Sequence, residues 1–196
     1  TKKITGQEIL AACEQVVGNS NGTAERRAWE NSIMYMKNIL EDPAIPDDAG
    51  VAIEYTLPLT RKRVDFIITG TGEDGAENVV LIELKQWSEA TLTDKDGVVV
   101  TYVGRKEGEH LHPSYQVWSY AATLQNFSQT VEDEDIQLKP CAYLHNYDQD
   151  DVITNDFYAK YLELAPVFLK RDALKLREFI KQYVKYGDKK NTLYRI

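Results

Sequence analysis

Two segments decide the fold of this chain: RKRVDFIIT at residues 61–69 and VVLIELKQW at residues 79–87. Both are rich in β-branched and apolar residues, which favour strands. The connection between them, residues 70–78, contains three glycines and one aspartate. These residue types tolerate the backbone angles of a chain reversal. The pattern therefore predicts an antiparallel hairpin.

Three charged side chains interrupt the apolar part of this hairpin: Asp65 in the first strand, and Glu83 and Lys85 in the second. Side chains alternate between the two faces of a strand, so Glu83 and Lys85 share a face with Leu81. Both faces are otherwise largely apolar, which predicts a sheet covered on both sides. A buried charge is costly unless a partner compensates it, so these three residues need an explanation.

A simple register brings the two acidic residues together. If Thr69 pairs with Val79, then Asp65 lies opposite Glu83, four residues further along each strand. Neighbouring carboxylates repel each other, which raises a pKa or attracts a cation, and oxygen ligands suit a hard ion such as Mg²⁺ or Mn²⁺. The sequence therefore predicts a metal site. The alternative is that Glu83 and Lys85 belong to an ordinary cross-strand ion pair.

The composition is that of an ordinary folded domain. With 196 residues, of which 43% are hydrophobic and 28% charged, the chain can bury one sizeable core. No apolar run approaches the length of a membrane span, and residues 1–4 lack the apolar core of a secretion signal. Two cysteines, Cys13 and Cys141, are too few for a disulfide framework. We therefore expect a cytoplasmic domain with reduced cysteines and no membrane partner.

The charge distribution bears on possible ligands. A net charge of -8 argues against a broad, non-specific grip on nucleic acid, which relies on basic residues. Arg61, Lys62 and Arg63 nevertheless form a basic patch at the start of the hairpin, where we expect phosphates to bind. The chain has neither a Gly-x-x-x-x-Gly-Lys loop nor a Gly-x-Ser-x-Gly elbow, which argues against ATPase or serine hydrolase chemistry.

Hydrophobic periodicity and turn residues predict the remaining elements. Helices are expected over residues 4–17, from residue 23 to before Pro43, and over residues 113–127, 157–164 and 171–186. Further strands are expected over residues 51–57, 98–103, 138–147 and 166–169. Residues 104–109 are predicted to form a charged loop. The strand at 138–147 is expected beside the hairpin, parallel to one of its strands. The fold class is therefore α/β, with a mixed central β-sheet flanked by helices.

Two predicted helices carry candidate functional side chains. Gln116 and Tyr120 are one helical turn apart and project from the same face. Glu25 falls on the apolar stripe of the helix that begins at residue 23, where an acid needs a reason, and Glu30 is the alternative carboxylate on that helix. Glu25 would also be favourable simply because it lies near the helix N-terminus.

The order of these motifs resembles that of the PD-(D/E)XK nuclease superfamily: an Asp on one strand, then Glu-x-Lys on the next. Here they are Asp65 and Glu83-Leu84-Lys85, with Val64 where the family often has Pro. A Gln-x-x-x-Tyr helix after Glu-x-Lys is the signature of the RecB-like branch, matched here by Gln116 and Tyr120.

The resemblance implies a restriction-endonuclease-like core and a role for each matched residue. Asp65, Glu83 and the carbonyl of Leu84 would hold Mg²⁺ or Mn²⁺, and Lys85 would orient water or stabilise negative charge. Gln116 would hold the geometry of the site. The supporting residues implied by the resemblance are Tyr120, which often lies towards phosphate, and Glu25.

The sequence around these motifs also resembles that of bacterial proteins whose nuclease-like N-terminal domain precedes a Schlafen-like superfamily 1 helicase region. This resemblance implies an N-terminal helical segment at 1–22, a nuclease-like domain at 23–186, and a tail or linker at 187–196 leading to an absent helicase or ATPase region. The implied function is metal-dependent hydrolysis of nucleic acid, with DNA expected rather than RNA, in nucleic-acid processing or in defence against foreign DNA. The alternative is a catalytically inactive module that binds nucleic acid or docks another protein.

Overall fold

The computed structural model describes residues 24–103, 106–149 and 151–196, with side chains from residue 31 onward. The strands within these ranges form two sheets. In chain order they are β1 (Gly50–Thr56), β2 (Arg63–Thr71), β3 (Glu77–Lys85), β4 (Thr91–Leu92), β5 (Val98–Val103), β6 (Lys106–Leu111), β7 (Gln137–Leu144) and β8 (Val167–Leu169).

The helices lie before, between and after these strands. The α-helices within the same ranges are α1 (Ala24–Leu40), α2 (Pro113–Phe127), α3 (Gln129–Asp133), α4 (Ala159–Leu164), α5 (Ala173–Tyr183) and α6 (Thr192–Arg195). Short 3-10 helices, Asp156–Tyr158 and Lys170–Asp172, precede α4 and α5 respectively. None of the helices that the structure describes is both long and apolar enough to cross a membrane.

The central sheet has five strands in the order β1-β2-β3-β7-β8. β2 and β3 are antiparallel, and their register pairs Thr69 with Val79 and Ile67 with Leu81, as the sequence predicted. β7 runs parallel to β3, as expected from a crossover that contains a helix, and β8 runs parallel to β7. The sheet is therefore mixed, and the expected α/β class with flanking helices is confirmed.

Hydrophobic cores lie on both faces of this sheet. The core on one face joins Val79 and Leu81 of β3 to Val117 and Leu124 of α2. The core on the other face joins alternate residues of β3 to α1 and α5: Val80, Ile82, Leu84, Ile33, Met36, Leu176 and Ile180. Because both faces are covered, every β3 residue except Lys85 is buried. Any charge on this strand is therefore placed in a dry environment.

His112 fixes where α2 begins. Its ring Nδ1 accepts a hydrogen bond from the backbone N–H of Ser114 at 3.2 Å, and its Nε2 lies 2.9 Å from the Ile153 carbonyl oxygen. The ring stacks on Tyr158 with centroids 4.3 Å apart. Burial lowers the pKa of His112 to about 4, so the ring stays neutral and structural. It holds the helix that carries Gln116 in place.

The C-terminal residues 187–196 pack against the first three strands of the central sheet through α6. Buried Asp188 accepts hydrogen bonds from the Thr69 hydroxyl at 2.8 Å and from the backbone N–H of Thr192 at 2.7 Å. Buried Glu77, at the start of β3, pairs with Lys190 at 2.7 Å and with Arg195. This segment is thus tied to the sheet by buried polar contacts.

Several elements differ from the sequence-based expectations. The predicted charged loop at residues 104–109 is wrong for residues 106–109, because they begin strand β6, which pairs with β5. The sequence also missed β4, α3 and α6. The predicted helix at residues 4–17 and Cys13 lie outside the described residues. Cys141 is buried with a free thiol, and burial raises its pKa.

We predict that Asp188→Ala lowers the unfolding free energy by about 2 kcal/mol, because it removes charge-assisted hydrogen bonds to partly or fully buried groups. Urea denaturation would measure the change. The matched control is Lys189→Ala, whose side chain is exposed, and we expect it to change stability by less than about 0.5 kcal/mol. Equal effects of the two variants would mean that residues 187–196 do not stabilise the sheet.

Candidate active site

The candidate site lies where the pairing between β2 and β3 ends. The last regular pair is Phe66 with Ile82, and Asp65 and Glu83 follow it. Beyond this point the backbone N–H of Leu84 donates to Oδ2 of Asp65 at 2.8 Å, instead of to a backbone carbonyl of β2. The Asp65 carboxylate thus takes the place of the next backbone acceptor in the strand pairing. This contact puts Asp65 beside the Glu83-Leu84-Lys85 motif.

Glu83 is the centre of a hydrogen-bonded group. Its Oε1 accepts from Lys85 Nζ at 2.7 Å and from Gln116 Nε2 at 2.6 Å. The same Gln116 amide nitrogen lies 2.8 Å from the hydroxyl of Tyr120, one turn further along α2. The structure therefore brings together the five matched side chains, Asp65, Glu83, Lys85, Gln116 and Tyr120.

The other oxygen of Glu83 is the most informative atom of the site. Glu83 is 2% exposed, and its Oε2 is buried without a hydrogen-bond partner among the residues the structure describes. A buried oxygen of this kind costs free energy unless a proton or a cation satisfies it. Asp65 is the acidic neighbour of Glu83, and the two carboxyl groups are close enough to share a proton in a side-chain hydrogen bond, so each influences the pKa of the other.

The residues present fit a hard divalent cation. A strand residue directs its N–H and C=O to the same side, so the Leu84 carbonyl faces the Asp65 side of β3. Asp65, Glu83 Oε2 and this carbonyl form an all-oxygen set, which suits Mg²⁺ or Mn²⁺. Three acidic side chains are not gathered here: no group of three or more His, Cys, Asp or Glu side chains in the described ranges is arranged to hold an ion.

Burial governs the ionisation of the two acids. It raises the pKa of Glu83 to about 7, although Lys85 lowers it, and the charge of Asp65 adds to the rise. Burial also raises the pKa of Asp65, against the opposing effects of Lys85 and the Leu84 N–H, and the charge of Glu54 raises it further. Both groups therefore hold their protons more tightly than exposed carboxylates do.

Lys85 keeps its charge in this setting. Burial of its ammonium group lowers the pKa, but the charges of Glu83 and Asp65 outweigh that effect and raise it. Its Nζ also lies 5.6 Å from the ring centroid of Trp87. With all three groups ionised, the two acids and one lysine carry a net charge of -1, which a bound proton would cancel and a divalent cation would change to +1.

Glu54 is a site residue that the sequence analysis missed. It lies opposite Asp65 on β1, where the pairing between β1 and β2 is interrupted. Its φ of 55° is in the left-handed region, which a residue with a side chain rarely adopts. Near this irregularity the side chain of Val64 packs in the same hydrophobic core as Ile67. Strict alternation of side chains along β2 would place it in the core that contains Phe66. The sequence does not indicate this irregular backbone geometry, because the residues around Glu54 have an ordinary strand pattern.

The structure places the residues predicted to bind phosphate in different surroundings. Lys62 lies over the ring of Tyr120, with its Nζ 5.8 Å from the ring centroid, so it is next to the site. Arg63 forms an ion pair with Glu54 on the neighbouring strand. Arg61 is exposed in the turn between β1 and β2. Lys62 and Arg61 are therefore the residues of this patch best placed to meet a phosphate.

The helix carboxylate stays a prediction. Glu25 and Glu30 belong to α1, but their side chains lie outside the described residues. The same helix carries Ser32, whose hydroxyl is 2.7 Å from Nε2 of His145. The ring of His145 also stacks on that of Tyr35, with centroids 4.5 Å apart.

Comparison of the chain with protein-family models, with curated proteins and with solved structures finds no match in any of the three. The residues of the site are therefore the features of the chain that indicate a function.

We predict that Glu83→Gln gains stability relative to the unmodified protein as the pH rises from 4 to 8. The pKa of Glu83 is raised from 4.5 to about 7 on folding. The stability this provides is fully present below pH 4.5 and is lost as the pH rises through 7. Glutamine keeps the acceptor oxygen and removes the ionisation.

Denaturation of both proteins without divalent ions, from pH 4 to 8, would test this. The stability of the variant relative to the unmodified protein should rise by on the order of 3 kcal/mol across this range, since one pKa unit corresponds to about 1.4 kcal/mol. A difference that does not change with pH would show that Glu83 ionises normally.

Proposed function

We propose that this protein is a metal-dependent nuclease that hydrolyses phosphodiester bonds on a restriction-endonuclease-like core. The observation that carries the proposal is the buried, unpartnered Oε2 of Glu83 beside Asp65. An ordinary structural carboxylate at this depth would have both oxygens satisfied. The order Asp65, Glu83-Leu84-Lys85, Gln116 and Tyr120 supports the same reading.

The ion would be held by Asp65, by Glu83 and by the carbonyl of Leu84. When bound, Mg²⁺ or Mn²⁺ supplies Lewis-acid polarisation of a phosphate oxygen and lowers the pKa of bound water. The two carboxylates bind it in their ionised forms, so the ion competes with the proton that burial favours on Glu83. Binding should therefore strengthen as the pH rises towards 7.

The other residues act on position and charge. Lys85 carries a stable positive charge at 2.7 Å from Glu83, where it would orient a water molecule or stabilise negative charge developing on the phosphate. Gln116 holds Glu83 Oε1, and Tyr120 in turn holds Gln116. Lys62, above the ring of Tyr120, would bind a neighbouring phosphate.

The substrate and the setting follow from the resemblance. We propose DNA rather than RNA as the substrate, and a role in defence against foreign DNA. The described chain would be the N-terminal domain of a longer protein that also carries a helicase or ATPase region. These assignments rest on the family analogy, and the geometry of the site supports only the chemistry.

The second candidate function is a module that binds nucleic acid, or docks another protein, without cutting. One observation favours it: Lys85 contacts Glu83 directly at 2.7 Å, in an ion pair within β3 and not between strands as the alternative interpretation predicted. A salt-bridged acid and lysine need no metal. Binding of the ion and metal-dependent cleavage separate the two functions.

We predict that the protein cleaves nucleic acid only with Mg²⁺ or Mn²⁺, and that Lys85→Ala slows cleavage by about 100-fold or more through loss of charge stabilisation. Gel assays with single-stranded DNA, duplex DNA and RNA would measure the rates. Lys95→Ala is the matched control, because Lys95 forms an exposed ion pair with Glu109, and it should cut at the normal rate. Full activity in Lys85→Ala would remove Lys85 from the chemistry.

We predict that Mn²⁺ binds the protein at pH 8, and that Asp65→Asn or Glu83→Gln weakens binding by at least about tenfold, because each loses a charged ligand. Isothermal titration calorimetry would give the affinities. Asp96→Asn is the control, since Asp96 is an exposed acid paired with Lys160, and it should bind as tightly as the unmodified protein. Binding of DNA without any Mn²⁺ binding would support the second candidate function instead.

A further inference from the structure

The turn between β1 and β2 has an unusual residue at its tip. The backbone N–H of Thr60 donates to the Leu57 carbonyl at 3.3 Å, which closes a four-residue turn with Pro58 and Leu59 at its centre. Leu59 has a φ of 57°. A turn with Pro at its second position and positive φ at its third is normally completed by Gly or Asn. Leucine therefore occupies a position that favours glycine.

The packing of Leu59 in the fold does not explain why a leucine occupies this position. Its side chain is 87% exposed, the highest exposure among the large hydrophobic residues the structure describes. A left-handed backbone costs a residue with a side chain roughly 1–2 kcal/mol. A single exposed leucine is ordinary on a protein surface, but a leucine held at a strained backbone position is not explained by stability and points to a function.

The surroundings of the turn indicate what Leu59 meets. The exposed cations Arg61, Lys62 and Arg63 follow Leu59 after one intervening residue, in a chain whose net charge is -8. Lys62 extends over the ring of Tyr120, whose hydroxyl lies 2.8 Å from the Gln116 amide of the candidate site. An apolar tip beside cations matches the chemistry of nucleic acid, which offers anionic phosphates outside and apolar base faces inside.

We propose that Leu59 is a wedge that inserts between neighbouring bases of a DNA strand whose phosphates are bound by Arg61 and Lys62. The proposal deepens the nuclease function proposed above and rests on it for the class of ligand. Apolar side chains inserted at a base step unstack the bases and bend the duplex. Lys62 links the turn to Tyr120, so the opened step lies beside the residues that would hold the scissile phosphate.

The position of Leu59 allows an unusually clear test. Glycine suits the backbone of this turn better than leucine, so Leu59→Gly should fold with an equal or higher melting temperature. Loss of DNA contact in this variant therefore cannot be ascribed to unfolding. Leu174→Ala is the control, because Leu174 is an exposed leucine, 68% accessible, on α5.

The probe is a duplex DNA of about 20 base pairs carrying one 2-aminopurine, whose fluorescence rises when its bases unstack. Measurements are made in EDTA at fixed low salt, so that binding is observed without cleavage. We expect the unmodified protein and Leu174→Ala to raise the fluorescence. Leu59→Gly should abolish the rise and weaken binding, measured by anisotropy, by about tenfold, as expected for loss of one base contact. Lys62→Ala should weaken binding further at the same salt concentration.

Several outcomes would overturn the wedge. They are an unchanged fluorescence rise in Leu59→Gly, a lower melting temperature of that variant, and a failure of the unmodified protein to bind the duplex. In the last case, the tip would instead be a contact for a protein partner. The wedge and the nuclease can fail separately: base unstacking without metal-dependent cleavage removes the nuclease alone, and cleavage without unstacking removes the wedge alone.

Discussion

The structure depends on how buried charge is accommodated at the end of β3. The central sheet is covered on both faces, so Glu83 lies in a dry environment next to Asp65. Lys85 and Gln116 satisfy one oxygen of Glu83 and leave the other without a partner in the described chain. The arrangement is thus balanced only when a proton or a cation is added. A group that changes its ionisation so readily is costly for stability and useful for chemistry.

The rest of the fold serves to hold this group in place. His112 starts α2 and packs between that helix and Tyr158, and α2 carries Gln116 to within 2.6 Å of Glu83. On the opposite side of β2, the strand β1 departs from regular geometry at Glu54 and again in its turn at Leu59. The other two non-glycine residues with positive φ in the described ranges, Asp135 and Asn191, are of types that tolerate this conformation, so Glu54 and Leu59 are the strained positions.

The same contacts support two chemical states. An ion pair between Lys85 and Glu83 satisfies the metal-free protein, whereas a cation on the free oxygen of Glu83 would leave Lys85 available to a phosphate. The overall charge of -8 does not oppose this, because three of the 23 basic residues, Arg61, Lys62 and Arg63, lie together at the turn between β1 and β2. Local arrangement, and not net charge, decides which ligands can approach.

The sequence by itself determined the hairpin, its register and the shared face of Gln116 and Tyr120. Each follows from a local period, since a slip of one residue would turn the apolar side chains of a strand to the wrong face. It did not determine β6, whose first four residues are charged or glycine and become part of a strand only by pairing with β5. The tertiary structure alone decided the left-handed Glu54, the contact of Lys62 with Tyr120 and the unpartnered oxygen of Glu83. These three features depend on contacts between residues that are far apart in the sequence, and a local sequence pattern does not indicate such contacts.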